Sequence, residues 1–375
     1  MNRTFDFCNA RIVNGERVRQ AREMAGLTQS DLAENTCVSQ AMIAHIEKGL
    51  KQPSGELAEA IARETMVLTE FLYRPTGPFL PEGSLLFRAR ASVSAKKLSQ
   101  THALAERVFE MFTEMAGKFN LPPVKIRPVQ GRPGSAAIEA RRMLGLSVDR
   151  PIPHLIRAFE RAGGVVITIP ELEGREAFAV WASDHPVVAL GPTTSGDRLR
   201  FSMAHEIGHL LMHQAPTARA QAENDAHTFA AELLTPHAAI EKDFALGLSI
   251  ERLGRLKQKW GISMAALLRR AKELGAISRR NYERFVKEMA AMGMRTKEPD
   301  EFAIPIEKPR ALRQMAEALY GKGLRFDHIS KDFGLPSSFV EEVLQRYASS
   351  AEVHQPSKNL KVVNITSHLE MRKAD

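Results

Sequence analysis

The period of the hydrophobic positions changes several times along the chain. From Arg17 to Glu64 apolar residues recur in short helical blocks separated by turn residues. Gly26 closes the first block and Thr28 stands where a helix cap belongs. Cys37, Val38 and Ser39 form a turn with Ser39 capping a third helix, which Gly49 and Pro53 end. Val18, Leu27, Leu32, Ala33, Val38, Ile43 and Ile46 are the positions that can close a compact all-α core. Proline and glycine then cluster from Arg74 to Gly83, which predicts a linker and ends the first domain near residue 75.

Helical spacing resumes over Ala95 to Phe119, with Leu98, Leu104, Val108, Phe112 and Met115 as the apolar stripe, and again over Ser135 to Leu144. The run from Gly163 to Ile169 is short, β-branched and glycine-led, so it predicts a strand. Ala177 to Ala182 and Pro186 to Leu190 predict two more, separated by Ser183 and Asp184. Two long helices follow, Leu199 to His213 and Glu223 to Leu234, the second stopped by Pro236. Leu253 to Ile277 predicts a helical pair turning at Gly261, Ile262 and Ser263 and packing on the domain before it. Leu324 to Leu344 carries a second such turn, expected to be a structural or dimerising bundle, with a cryptic DNA-binding unit as the alternative. Pro305 and Pro309 interrupt the helical region between them.

The expected fold class is mainly α with a small β-sheet (α+β). The expected organisation is an all-α domain over 14–72, a linker over 73–94, a domain with a helical lead-in over 95–245, a C-terminal helical region over 246–350 and a flexible tail over 351–375.

Composition narrows this picture. A chain of 375 residues exceeds what one hydrophobic core organises, and 44% apolar with 26% charged residues belongs to the globular class. A formal charge of +8 favours a polyanionic partner such as DNA. Cys8 and Cys37 have no CxxC spacing, which argues against a disulfide scaffold and a cysteine zinc site. Met1 to Val13 lacks the apolar core of a signal peptide, and the longest apolar run is far short of the roughly 20 residues that span a bilayer. The expectation is a cytoplasmic protein with no membrane partner.

The two long helices, Leu199 to His213 and Glu223 to Leu234, carry the chemistry. In HEIGH, His205 and His209 stand four apart and so share one face of a helix, able to aim imidazole nitrogens at one metal ion with Glu206 alongside. Zinc held by three protein ligands keeps a position for water, lowers that water's pKa toward about 7, and leaves a glutamate to take the proton. Glu223, which opens ENDAH, is the expected third ligand. His227, one turn further on, is expected beside the ligands in a supporting place, with His227 or Asp225 as the alternative ligand.

The segment RLRFSMAHEIGHLLMH, followed by ENDAHTFAAELLTP and preceded by AFAVWASDHPVVALG, resembles the ImmA/IrrE family of zinc metallopeptidases over roughly residues 160–275. The resemblance implies a zincin-like fold, with His205, His209 and Glu223 on Zn2+ and Glu206 as general base. It also implies that cleaved partners are repressors. Two positions depart from the family: His227 replaces asparagine or aspartate, and Thr235 replaces methionine. No tyrosine occurs between Tyr73 and Tyr282, so a tyrosine stabiliser would have to come from a distant segment; His213, His185 and Arg200 are the other candidates for polarising a substrate carbonyl.

Through TQSDLA, VSQAMI and HIEKG, residues 14–72 resemble the XRE-type helix-turn-helix of Cro and the phage repressors. The resemblance implies that Gln29 starts the second helix and that Ser39, Gln40 and Met42 or Ile43 begin the recognition helix of a domain that reads operator DNA as a homodimer. Gln40, able to pair in bidentate fashion with adenine, is the expected base contact. Arg17, Arg22, Lys48 and Lys51 are expected phosphate contacts or solvated charges. Together these expectations describe a transcriptional regulator whose zinc domain cleaves a protein, a repressor-like partner or the chain itself. The alternative is a non-proteolytic regulator in which the zinc domain is structural or senses a ligand.

Overall fold

The computed structural model describes residues 12–77, 80, 94–121, 123–169, 177–182, 184–193, 195–213, 218–294 and 297–349. Cys8, Ser183, most of the expected linker and the expected tail over 351–375 lie outside the described residues. The architecture is mainly α with one three-stranded sheet, as expected, and it divides into two compact units. The first takes in the described residues up to Lys118 and those from Leu312 onward. The second runs from Phe119 to Thr168 and again, after the first strand, through Ala311.

In the first unit, caps set the helix starts. Asn14 accepts from the Glu16 N–H ahead of α1 (Gly15–Met24), and Thr28 and Asp31 form a reciprocal capping box on α2 (Gln29–Asn35). Ser39 caps α3 (Gln40–Glu47) and Ser54 caps α4 (Gly55–Glu64). Val18, Leu32, Ile43 and Ile61 are wholly buried where these helices meet. A Cβ on Gly15 would lie 2.2 Å from the Ile46 carbonyl oxygen, so only glycine lets α1 cross the end of α3.

The same unit holds α5 (Ala95–Ala116), which the sequence reading had joined to the metal domain. The fully buried Arg17 guanidinium donates to both oxygens of Glu110 on α5, at 2.6 and 2.9 Å. Arg17 is therefore a structural anchor and neither a phosphate contact nor a solvated charge. Three late helices complete the unit: α14 (Ala311–Tyr320, which starts at the last residue of the other unit), α15 (Phe326–Phe333) and α16 (Ser337–Gln345). Gly334, at φ 67°, turns the chain between the last two and accepts from the Leu68 N–H at 3.0 Å.

In the second unit, α6 (Pro133–Met143) and α7 (Leu155–Arg161) precede a sheet of order β1-β3-β2. Strand β1 (Val165–Thr168) pairs in parallel with β3 (His185–Leu190), Val165 opposite Val187. Strand β2 (Ala177–Ala182) runs antiparallel to β3, Ala177 opposite Leu190. Strand β1 is buried at all four positions rather than alternating, as strands in parallel pairing commonly are. Against the sheet lies α8 (Gly196–Met212), and beside it α9 (Arg219–Leu234). A short α10 (His237–Phe244) leads to α11 (Ile250–Trp260) and α12 (Met264–Glu273), then α13 (Arg279–Ala291). Leu253, Trp260, Leu267 and Leu268 enter the same core as Met203, Ile207 and Phe229, so this helical pair packs on the metal-helix core.

Where Pro305 and Pro309 were expected to interrupt helix, residues 303–310 form a non-helical strap. Its Glu307 accepts from the Ile156 N–H at 2.8 Å and pairs with His154 at 2.9 Å and with Arg200 of α8. Arg200 is thus committed to the scaffold and does not serve as a carbonyl polariser; its other terminal nitrogen donates to the Ile152 carbonyl at 2.8 Å. Among the described residues no helix is long and apolar enough to cross a membrane.

Candidate metal centre and DNA-reading face

One helix contact sets the metal centre. A Cβ on Gly208 would lie 2.9 Å from the Phe229 ring and 3.3 Å from the Ala226 Cα, so glycine lets α8 and α9 run close together. That approach brings Glu223 of α9 across from His205 and His209 of α8. The Nε2 atoms of the two histidines are 3.0 Å apart, and Glu223 Oε2 is 3.2 Å from that of His205. Glu223 Oε1 is 3.7 Å from His209 Nε2. Glu223 sits in the second turn of α9 rather than at its opening, because the helix starts four residues earlier than expected, at Arg219.

The donor set fits zinc. Ligands at about 2.0–2.1 Å from a tetrahedral ion lie about 3.3 Å from one another. The three spacings bracket that value, and the set as a whole falls within 4.8 Å. Two imidazole nitrogens and a carboxylate converging on one point also offer a cation more acceptors than they can satisfy among themselves. Glu206, the next residue after His205, is 7% exposed.

The remaining histidines divide into separate roles. His209 Nδ1 lies 3.0 Å from His213 Nδ1, so the ring nitrogen turned away from the cluster has its own partner. His213 Nε2 in turn lies 4.0 Å from an Asp225 carboxylate oxygen. His227 and Asp225 are not in the ligand group; His227 packs against Phe201, ring centres 5.0 Å apart. Burial and then the nearby Arg269 push its pKa down, with Glu273 opposing. His185 begins β3, opposite Ala182, and is half-buried.

Phe201 and His227 each stand one helical turn, about 6 Å of rise, from a ligand. They border a cleft of ≈ 990 Å³ whose far wall includes Arg269, Glu273 and Tyr282. Tyr282 is a distant-segment tyrosine that lines this cleft, and the sequence alone does not place it there. It lies far along the chain on α13, and only the packing of α12 and α13 brings it here.

On the DNA side, Ser39 and Gln40 are exposed at the start of α3, with Lys48 and Lys51 exposed beyond its end. Gln29 begins α2 as expected, and its amide donates to Glu47 at 2.8 Å. Ile43 needs correction as a DNA contact: it is 0% exposed, so its side chain belongs to the core and cannot reach a base edge. Arg22 is also corrected, since its guanidinium is spent on Glu47 at 2.6 Å and on the Leu27 carbonyl at 3.0 Å.

Comparison with known proteins agrees with this division. Residues 159–272 match the family model of the IrrE N-terminal-like domain, peptidase family M78, and residues 18–65 match a helix-turn-helix model. Two curated proteins from two strains of Mycobacterium tuberculosis, each described as an uncharacterized HTH-type transcriptional regulator, are 34% identical to the chain over 67 residues. That stretch is 18% of this chain and 48% of each relative, so the chain spans about half the length of the curated relatives it matches. The chain therefore joins an XRE-type helix-turn-helix, DNA-binding domain to an IrrE-like domain of the M78 metallopeptidase type.

Proposed function

We propose that the protein is a cytoplasmic transcriptional regulator that binds operator DNA as a homodimer and cleaves a protein, either a repressor-like partner or itself, at a zinc centre held by His205, His209 and Glu223. The observation that carries this reading is the convergence of three ligand atoms within 4.8 Å beside a buried glutamate. Zinc held there by His205, His209 and Glu223 would supply Lewis acidity toward the scissile carbonyl and toward the attacking water. Glu206 takes that water's proton and delivers it to the leaving amine nitrogen. The cleft bordered by Phe201, His227 and Tyr282, one helical turn from His205 and Glu223, is the groove proposed to receive the polypeptide. Exposed Gln40 meets a base edge, while paired half-sites match the two-fold symmetry of a dimer.

The test is elemental analysis of wild type beside His205→Ala and Glu223→Ala, followed by the regulatory output of zinc-loaded Glu206→Gln. Near-stoichiometric zinc lost in both ligand variants, with regulation lost in Glu206→Gln, is the expected result. A folded Glu206→Gln protein that regulates as well as wild type would replace the proteolytic reading with a structural or ligand-sensing zinc domain.

A further inference from the structure

The first unit has a feature that the helix-turn-helix match over residues 18–65 does not cover. The start of α5 stands against the ends of α2 and α3 that face DNA in the proposed binding mode. Ala95, Lys96 and Ser99 form one wall of a hollow of ≈ 360 Å³ whose opposite side includes Thr28, Gln29, Ser30 and Gln40. We propose that Lys96 is a further DNA-backbone contact, so that the DNA interface extends from the helix-turn-helix onto α5. This rests on the DNA-binding part of the proposed function and commits the lysine to a duplex phosphate.

Three observations carry the assignment. First, α5 is not a loose tether: Arg17 is buried on Glu110, Gln100 donates to the Met24 carbonyl at 3.0 Å, and a Cβ on Gly26 would lie 3.0 Å from the Gln100 amide. Lys96 is therefore held in fixed register with Gln29 and Gln40, which lowers the ordering cost of a contact. Second, its ammonium group is accessible, with 53% of the side chain exposed. Third, its present partner is Asp31 at 3.2 Å, itself 42% exposed, and an exposed pair of this kind, screened by water, contributes little to stability. Asp31 keeps its hydrogen bond from the Thr28 N–H when Lys96 turns away. Exchanging that carboxylate for a phosphate thus costs little. Glu23, the other acid at the hollow, is 3.4 Å from Arg22.

Phosphate contacts position a protein and leave a distinctive salt signature: each one adds about 0.9 to the slope of log K against log salt. The experiment uses the full chain and a fluorescently labelled, non-specific duplex, titrated over a range of salt concentrations. Lys96→Gln is compared with Lys118→Gln, which removes the same charge at the far end of α5, about 30 Å away by helical rise. Lys96→Arg keeps the charge in place.

The expected result is a slope reduced by about one in Lys96→Gln, unchanged in Lys118→Gln and restored in Lys96→Arg, with melting temperatures alike. If wild type binds and Lys96→Gln matches it in slope and affinity, the lysine serves only Asp31 and the inference is overturned alone. If wild type shows no salt-dependent binding, the DNA-binding reading falls with it.

Discussion

Gly208 and Phe229 meet so closely that a single methyl group on the glycine would sit 2.9 Å from the aromatic ring. The contact lies between His205 and His209 on α8 and between Glu223 and Leu234 on α9, so it sets the separation on which the ligand cluster depends. Gly208→Ala is expected to destabilise the fold by about 1–3 kcal/mol through overpacking. It should weaken zinc binding as well, because the helices part at the site. Thermal melting and zinc competition with a chelator measure the two effects; a destabilised variant with wild-type zinc affinity would show that the site tolerates the shift.

His213 supports His209 from behind. His209 Nδ1 and His213 Nδ1 are 3.0 Å apart, and with His209 Nε2 on a metal ion its Nδ1 would carry the proton and donate to His213. His213→Ala is expected to cost about 10–100-fold in zinc affinity while leaving the metal-free protein nearly as stable as wild type. Unchanged affinity would reduce His213 to a helix-end residue.

Two carboxylates under the strap titrate in opposite senses. Burial pushes Glu160 up to about 8, tempered by the Ala311 N–H at 3.0 Å and by Arg157. The folded protein then holds a proton that the unfolded chain releases near pH 4.3, so this group's contribution falls as pH rises between those values. Glu307 is the reverse: burial opposes its ionisation, yet His154, Arg200 and the Ile156 N–H hold it down at about 2. Its contribution is full above about pH 4.3 and disappears as pH drops toward 2. Urea unfolding of Glu160→Gln beside wild type at pH 6 and pH 8.5 checks the first sense. The variant should gain on wild type at the higher pH, and a difference independent of pH would refute it.

Within the helix-turn-helix, neighbouring residues should fail differently. Ile43→Ala opens a cavity in a fully buried position and is expected to cost about 2–5 kcal/mol of stability. Gln40→Ala should leave melting unchanged while relaxing preference at one base position by about 1–3 kcal/mol. Melting curves and selection from randomised duplexes separate the two. A Gln40→Ala protein with unaltered sequence preference would move base reading to another residue.

Local chemistry made much of this architecture legible. Thr28, Ser39 and the Gly261–Ser263 turn are capping and turn signals within a few residues of what they control, and the structure has helices starting or ending there. HEIGH pointed to a candidate ligand pair because helical spacing alone puts His205 and His209 on one face. Distant relations were hidden. Nothing within α5 says that Glu110 will bury Arg17, and the same apolar stripe would serve either unit. Ile43 was ambiguous for the opposite reason: the first turn of a recognition helix has positions facing the groove and the core, and an isoleucine there belongs to the core.

The hydrogen bond from Leu68 to Gly334 has a consequence for synthesis. The first unit takes its last helices from residues made long after its first ones, with the second unit between them in the chain. At about 5–20 residues per second, the start of the helix-turn-helix waits on the order of tens of seconds on the ribosome for its late partners. A truncated product can carry the DNA-reading helices and the metal ligands and still lack the piece that seats on Leu68 and Phe71.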